Sequence, residues 1–431
     1  MQRKVIAVIL LLTCSAIFSS CEYISEKLSV TPTTSESAVT IQTIPSQIKQ
    51  KTDNWENMTS EQESAYETVQ TYEEQHVTRG IKYDQLTQNE KIAYDQMCIG
   101  LLKHDDNIEI SSEINRDSLC RIYEAILTTE EKSMYDPMRR YSCSYIEDTG
   151  QITKVVPVYS YNEEEEKNIK AEIEAAADKV INMIDYQMTD VDKVRFFHDY
   201  IIKNCTYYSD ILKYSDEEIE GIMDESNYDN AYGVLVEHKA VCEGYARAFR
   251  YLCQKAGIAC ELISGSGGGE QHMWNIVCLE NQWYHIDLTW DDPVTNSNYD
   301  YNNISYSYFN INDDEINNDH IIDETFFKYP ECTSDEANYF KYYDMIASDT
   351  EKAAEILKRE IINLNGDEGV LYIKARSYNT YKQIISYLFD NNQEGISRIF
   401  VEANKQLGIS ETDRSFIRST DEDRHIIKLI I

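Results

Sequence analysis

The chain reads as an α+β protein in which a helix bearing a cysteine packs on an antiparallel sheet. A mainly helical α+β region precedes this core, and a small α/β module follows it. Three observations predict this. Apolar residues recur at helical spacing in V-C-E-G-Y-A-R-A-F-R-Y-L (241–252). The segments H-M-W-N-I-V-C-L (272–279) and W-Y-H-I-D-L-T-W (283–290) alternate as two strands around a short turn. After residue 346, helix and strand patterns alternate.

At the start, Arg3 and Lys4 precede an apolar run over 5–18, of signal-segment length and short for a bilayer span. It ends in F-S-S-C, and this resembles a bacterial lipoprotein signal with Cys21 as the lipidated residue. Phe18 stands where Leu is usual. The expectation is a signal peptide over 1–20 and a lipid anchor on Cys21. That anchor would hold the protein at the outer face of the cell membrane, with plain secretion as the alternative. Residues 21–54, rich in Ser and Thr with Pro32 and Pro45, read as a tether.

Length and composition fit a soluble protein of two or three domains: 431 residues, 42% hydrophobic and 27% charged. Acidic residues outnumber basic ones 76 to 40, a net charge of −36. That argues against a nucleic-acid partner, because phosphate contacts need a basic face. A solvated, self-repelling surface accounts for most of it, and a basic partner stays open.

Residues 55–185 form the N-terminal α+β region. M-T-S-E-Q-E-S-A-Y-E (58–67) echoes L-T-Q-N-E-K-I-A-Y-D (86–95), which reads as two similar helix starts and not a solenoid. Alternation around 140–160 predicts a hairpin turning at Asp148–Gly150. An amphipathic helix follows, with Ile169, Ile173, Ala176, Val180, Ile181 and Ile184 at helical spacing. Nothing in this region carries a chemical motif.

The core is expected over 186–345. Thr189 or Asp190 caps a helix over 191–203, with His198 on its face. Residues 204–231 read as acidic and irregular, and 231–241 as turns and short extended pieces. Gly257 ends the Cys242 helix, a strand runs over 260–265, and the glycines at 265–269 read as a mobile cleft wall. In the module over 346–431 the pattern gives a helix (350–364), a strand (370–374), two helices (379–389 and 395–407) and a final strand (425–431). Support or recognition is its expected role.

Setting aside Cys14 and Cys21, nine of the 11 cysteines remain: Cys98, Cys120, Cys143, Cys205, Cys242, Cys253, Cys260, Cys278 and Cys332. An odd number leaves at least one free thiol whatever the pairing. There is no C-x-x-C and no metal-ligand spacing, so no metal and no cofactor is expected. The run 291–303 is oxygen-rich but lacks the EF-hand Gly and Glu.

Cys242 stands apart from the other cysteines. At a helix start it faces unpaired backbone N–H groups and the positive end of the macrodipole, which favour thiolate. If Glu280 and Asn281 form a two-residue turn, Leu279 pairs with Gln282, and Asp287 falls on the same face as His272. The two are then diagonal neighbours on adjacent strands, about 7–8 Å apart at the backbone and within side-chain reach. Asp287 can orient the imidazole, and His272 can hold the Cys242 thiolate and later protonate a leaving amine. The Cys242 backbone N–H is a natural oxyanion donor.

K-A-V-C-E-G-Y-A-x-A-F (239–249), H-x-W-N-x-V (272–277) and W-Y-H-I-D-L-T-W-D-D-P (283–293) resemble the transglutaminase-like superfamily, in the form common in exported bacterial proteins. The resemblance covers about 190–315. It implies a papain-like fold and carries the nucleophile to Cys242, the base to His272 and the acid to Asp287. Met273 replaces the small residue often found after the His. The family includes cross-linking enzymes, proteases and peptide:N-glycanases, so the resemblance leaves the reaction open.

Around the triad, Tyr232, Tyr245 and Trp274 are the candidate substrate contacts. Trp274 and Trp290 are weighed against a core role. His285 is the rival base, and His238 and His320 read as surface residues. The expected activity is that of a cell-surface thiol enzyme acting on amide bonds of a peptide, a protein or a cell-wall stem peptide. The alternative is a non-catalytic module that keeps this fold as a binding scaffold.

Overall fold

The computed structural model describes residues 80–136, 140–292, 304–409 and 416–431, and the backbone of the strand Val5–Val8 (β1). Apart from that strand, the expected leader, Cys21, the tether, the helix start at 58–67 and most of the 291–303 run lie outside the described residues.

The first unit packs two helices on a sheet. Gln88–Leu102 starts at a capping box in which Thr87 Oγ1 accepts from Glu90 N and the Glu90 carboxylate accepts from Thr87 N. It lies beside Arg116–Thr129. Ile108–Glu109 (β2), Arg140–Ile146 (β3) and Ile152–Val158 (β4) join β1 in the antiparallel order β1-β3-β4-β2. The β3–β4 hairpin lies where alternation placed it, with Gly150 at φ 69° in its turn.

Two arginines dock this unit on the cysteine-bearing helix, Cys242–Lys255. Arg247 and Arg250, each 1% exposed, point from that helix at the C-terminal end of Arg116–Thr129. Arg247 Nη1 donates to Leu127 O and Ser133 O, and Arg250 Nη1 to Thr129 O at 2.8 Å. The last carbonyls of a helix lack partners within it and sit at its negative end, so cations satisfy both needs there. Glu163–Ile181 begins at an Asn162 capping box with four glutamates in its first turn. Its apolar face, Ile173, Ala177 and Val180, enters the same core as Phe249 and Leu252 of the Cys242 helix.

Thr189, and not Asp190, caps the helix Asp190–Asn204 by accepting from Asp192 N. The segment expected to be irregular holds the helix Asp216–Asp224, which a Ser215–Glu218 capping box nucleates. Gly233–Glu237, expected as turn and extended chain, is π-helical and ends at His238 in the left-handed region. Thr206–Tyr207 (β5) then pairs in parallel with Lys239–Ala240 (β6), which leads straight into Cys242.

The central sheet is antiparallel, in the order β10-β7-β8-β9: Cys260–Gly267 (β7), Glu270–Leu279 (β8), Gln282–Ile286 (β9) and His320–Ile322 (β10). Glu280 and Asn281 both have positive φ, 50° and 62°, and Leu279 pairs with Gln282. This is the two-residue turn on which the register argument depends. The glycines at 265–269, expected as a loose cleft wall, fall on a strand end and a hairpin turn. β7 and β8 run to Gly267 and Glu270, and Gly268 and Gly269 (φ 61° and 92°) form a tight hairpin turn between them.

In the C-terminal unit, Thr350–Leu364, Val370–Ala375 (β12) and Ile426–Ile430 (β14) follow the sequence pattern. Ile346–Ala347 (β11) and Ile417–Asp421 (β13) complete a sheet ordered β11-β12-β14-β13. β13 escaped notice because its residues are exposed and carry almost no apolar alternation. One helix, Tyr378–Leu407, replaces the two expected. The interruption between them survives as Gln393 at φ 65°. None of the nine described cysteines is joined to another by a disulfide. Among the described residues no helix is long and apolar enough to cross a membrane.

Candidate active site

Cys242 is the first residue of its helix, half-buried, and no side chain caps the helix at the preceding Val241. The Cys242 backbone N–H instead donates to the hydroxyl of Tyr207, at the end of β5. Sequence patterns did not single out Tyr207, because its position depends on the pairing of two dipeptide strands.

His272 comes from β8 and Asp287 from just beyond β9. His272 Nε2 lies 2.6 Å from Asp287 Oδ2. Cys242 is also hydrogen-bonded to His272, and with Nε2 engaged by Asp287, Nδ1 is the nitrogen left for it. Burial works against a charged His272 ring. The charge and hydrogen bond of Asp287, together with Cys242, outweigh it and raise the ring to about 10.

Asp287 is buried and caps the short helix Leu288–Asp291. Its Oδ1 accepts from Thr289 N, Thr289 Oγ1 and Trp290 N at 3.0, 2.7 and 3.2 Å. Its Oδ2 accepts from His272 and from His320 Nε2, the latter at 3.1 Å. Burial would raise this carboxyl. The His272 charge and the hydrogen bonds from both histidines hold it well below the usual carboxylate range.

His320 was expected at the surface and is 1% exposed. β10 pairs with β7 and sets His320 opposite Gly267, against the His272–Asp287 pair. The fit is close: a Cβ on Gly267 would lie 3.1 Å from both His320 Nε2 and His272 Cδ2, so a ring would have to shift to admit it.

The three candidate substrate contacts are not brought to the triad as contacts. Trp274 is buried behind His272, stacked on it at 5.9 Å between centroids, and donates its indole N–H to His285 Nδ1. Tyr245 is completely buried and donates its hydroxyl to Asp292 Oδ2 at 2.7 Å. Being on the first turn after Cys242 turns it into the core and not into a cleft. Tyr232 is half-buried and donates its hydroxyl to Glu172, on the helix Glu163–Ile181.

His285, the rival base, has both nitrogens engaged elsewhere, Nδ1 by Trp274 and Nε2 by Asp313 Oδ1 at 2.9 Å. His198, read as a helix-face residue, points into the core between Asp199 Oδ1 and Asp291 Oδ2. Burial would lower it, but the two carboxylates raise it to about 9.

Two clusters have donor atoms close enough to hold a metal ion, His272–Asp287–His320 and His285–Asp313–Cys332. Neither fits one well. An indole N–H only donates, so His285 Nδ1 must accept and Nε2 must carry the proton aimed at Asp313. That leaves no lone pair for a cation. In the first cluster both Nε2 atoms already face the same carboxylate oxygen as hydrogen-bond donors.

Residues 177–288 match the family model of the transglutaminase-like superfamily. Kyphoscoliosis peptidase of Homo sapiens is 27% identical over 130 residues, covering 27% of this chain and 18% of that protein. The protein of that name from Mus musculus is 33% identical over 76 residues, covering 15% and 12%. The matches thus span less than a fifth of these relatives' length. A crystal structure of a TGase aligns over 45% of this chain and 52% of its own, at 15% identity and a TM-score of 0.26. Residues 177–288 of this α+β chain are a transglutaminase-like domain.

Proposed function

We propose that the domain is a thiol enzyme acting on amide bonds of peptides or proteins, with Cys242 as nucleophile, His272 as proton carrier and Asp287 as orienting acid. One observation carries this reading. His272 is engaged by Asp287 through Nε2 and by Cys242 through its other nitrogen, beside an uncapped helix start.

The chemistry follows from those positions. The Cys242 thiolate attacks the amide carbon, forming a C–S bond, and the oxyanion accepts from the Cys242 N–H, displacing Tyr207 from it. Imidazolium His272 protonates the amide nitrogen as the C–N bond breaks and the amine leaves. A thioester remains. His272, now neutral, takes a proton from water, which attacks the thioester to release a carboxylate and the thiol. An amine in place of water would give a new amide and a cross-link. Asp287 keeps the ring oriented and does not itself take the proton.

The substrate is then a peptide, a protein or a cell-wall stem peptide. Reading the N-terminus as a lipoprotein signal puts the enzyme at the outer face of the cell membrane through Cys21. Mass spectrometry of the mature N-terminus tests that part. A diacylated Cys21 supports it, and an unmodified N-terminal residue other than Cys21 overturns it.

Iodoacetamide alkylation, mapped by peptide and followed against pH in wild type and His272→Ala, tests the chemistry. Rapid labelling of Cys242 well below about pH 8, slowed by the substitution, is expected. An ordinary thiol titration in both proteins overturns the enzyme reading and favours a binding scaffold.

A further inference from the structure

We propose that His320 is a positioning residue for Asp287, and that Arg424 of the C-terminal unit holds it there through Asp319. The inference rests on the Cys242–His272–Asp287 reading and extends the site to parts of the chain outside residues 177–288.

The geometry forms a continuous chain. His320 Nε2 faces Asp287 Oδ2 at 3.1 Å, and its Nδ1 faces Asp319 Oδ1 at 2.6 Å. Each ring nitrogen of His320 thus faces a carboxylate oxygen, so the ring bridges Asp319 to Asp287. Asp319 Oδ2 in turn accepts from Tyr308 Oη at 2.7 Å and from Arg424 Nη2 at 2.9 Å. Arg424 lies in the turn between β13 and β14, with its guanidinium 3.9 Å from the Tyr308 ring centroid. The same turn holds the segment around Ser307 through Asp421, which accepts from Ser307 Oγ at 3.2 Å.

Each link has a definite effect on the next. With Oδ1 filled by Thr289 and Trp290, the carboxylate of Asp287 can rotate only by giving up donors on both oxygens. His320 therefore locks the orientation that His272 depends on. The His320 ring centroid lies 5.4 Å from that of His272. The charged and titratable groups facing His320 are Asp287, Asp319, His272 and His285, with Tyr308, Trp290 and Trp274 as ring neighbours. By fixing Asp287, His320 keeps the carboxylate aimed at His272, the ring that pairs with Cys242. Removing His320 loosens the hold of Asp287 on His272, and with it the pair through which Cys242 reacts.

The test measures Cys242 alkylation by iodoacetamide against pH in the full chain, for wild type, His320→Gln, Arg424→Gln and Arg424→Lys. Circular dichroism checks that each variant is folded. His320→Gln is expected to slow labelling near pH 6 by about tenfold or more, in the range seen when groups orienting a reactive residue are removed. It should also move the rising limb of the profile to higher pH. Arg424→Gln should do the same to a smaller degree, and Arg424→Lys should restore much of the loss. A merely structural role would change the rate without moving the limb.

Arg424→Gln, far from the sulfur, keeps the question open to test should His320→Gln fail to fold. Folded variants with the wild-type profile overturn the proposal while fast, His272-dependent labelling of the wild type leaves the triad intact. Slow labelling of the wild type itself, unaffected by His272→Ala, overturns both.

Discussion

Asp287 receives His272 Nε2 on Oδ2 at 2.6 Å while its other oxygen is saturated by the first turn of the helix it caps. One residue thus ends a strand, starts a helix and orients an imidazole. The consequence is rigidity: the acid cannot follow a moving histidine, so the histidine must be held by the acid.

Asp287→Asn removes the charge that raises His272, and leaves one acceptor oxygen where two served five donors. His272 should lose its imidazolium near neutrality. Cys242 alkylation at pH 7 should fall by roughly 10²–10⁴-fold, the range expected when a triad acid becomes an amide. Melting should also drop, by about 2 kcal/mol for the donors left unpaired. Labelling kinetics and urea titration read the two effects separately.

The buried histidines set a pH window for stability. His198 is raised to about 9 and His272 to about 10. For a group raised on folding, the stabilisation is complete below its unfolded value of about 6.5 and is lost as pH rises through the folded value. Asp287, held low, contributes above about 4 and loses that contribution as pH falls. Lys428, lowered to about 7 by burial, works in the opposite sense and favours the fold as pH rises above 7. The informative quantity is therefore a difference. The melting temperature of wild type minus that of His198→Asn should be largest below about pH 6.5 and shrink steadily towards pH 9. A difference independent of pH would show that His198 is not charged in the fold.

The His272–Asp287 contact was legible because few degrees of freedom stood between sequence and geometry. A two-residue turn at Glu280–Asn281 sets the register, strand parity sets the face, and a helix start sets Cys242. His320 was not legible. It sits on a three-residue strand 33 residues beyond Asp287, and its neighbour across the ladder, Gly267, carries no side chain to mark the pairing. Trp274 and Tyr245 were misread for a related reason. Spacing places a residue near the site without saying which side of it faces solvent, and both proved to be packed behind the reacting groups. The N-terminal unit carries no chemical motif in its sequence, and what meets it in the structure are arginines of the Cys242 helix.

Those arginines carry a stability prediction. Arg250 bridges Thr129 O and Cys260 O, each at 2.8 Å, with almost no exposure to water. Arg250→Met fills similar volume but leaves both carbonyls and the Glu261 carboxylate 3.8 Å away without their cation. The cost should be about 3 kcal/mol by urea unfolding. Tryptic cleavage between the N-terminal unit and the Cys242 helix should accelerate as their docking loosens.

Gly265 tests whether the edge strand is needed in its present place. A Cβ there would lie 2.1 Å from Ile321 O and 2.9 Å from Trp274 Cη2, both held by the sheet and core around them. Backbone cannot yield as a flexible side chain does, so Gly265→Ala must push β10 away from β7. That displaces His320, and because Gly265 also pairs with His272 on β8, comparison with His320→Gln is what separates the two routes to the site. The expected result is a folded protein, a few degrees less stable, in which Cys242 labels more slowly and the rising limb of its pH profile moves up as in His320→Gln. Equal loss of labelling at every pH would mean that the strand supports the sheet in general and does not act through His320. A wild-type rate would mean that β10 can shift without disturbing Asp287.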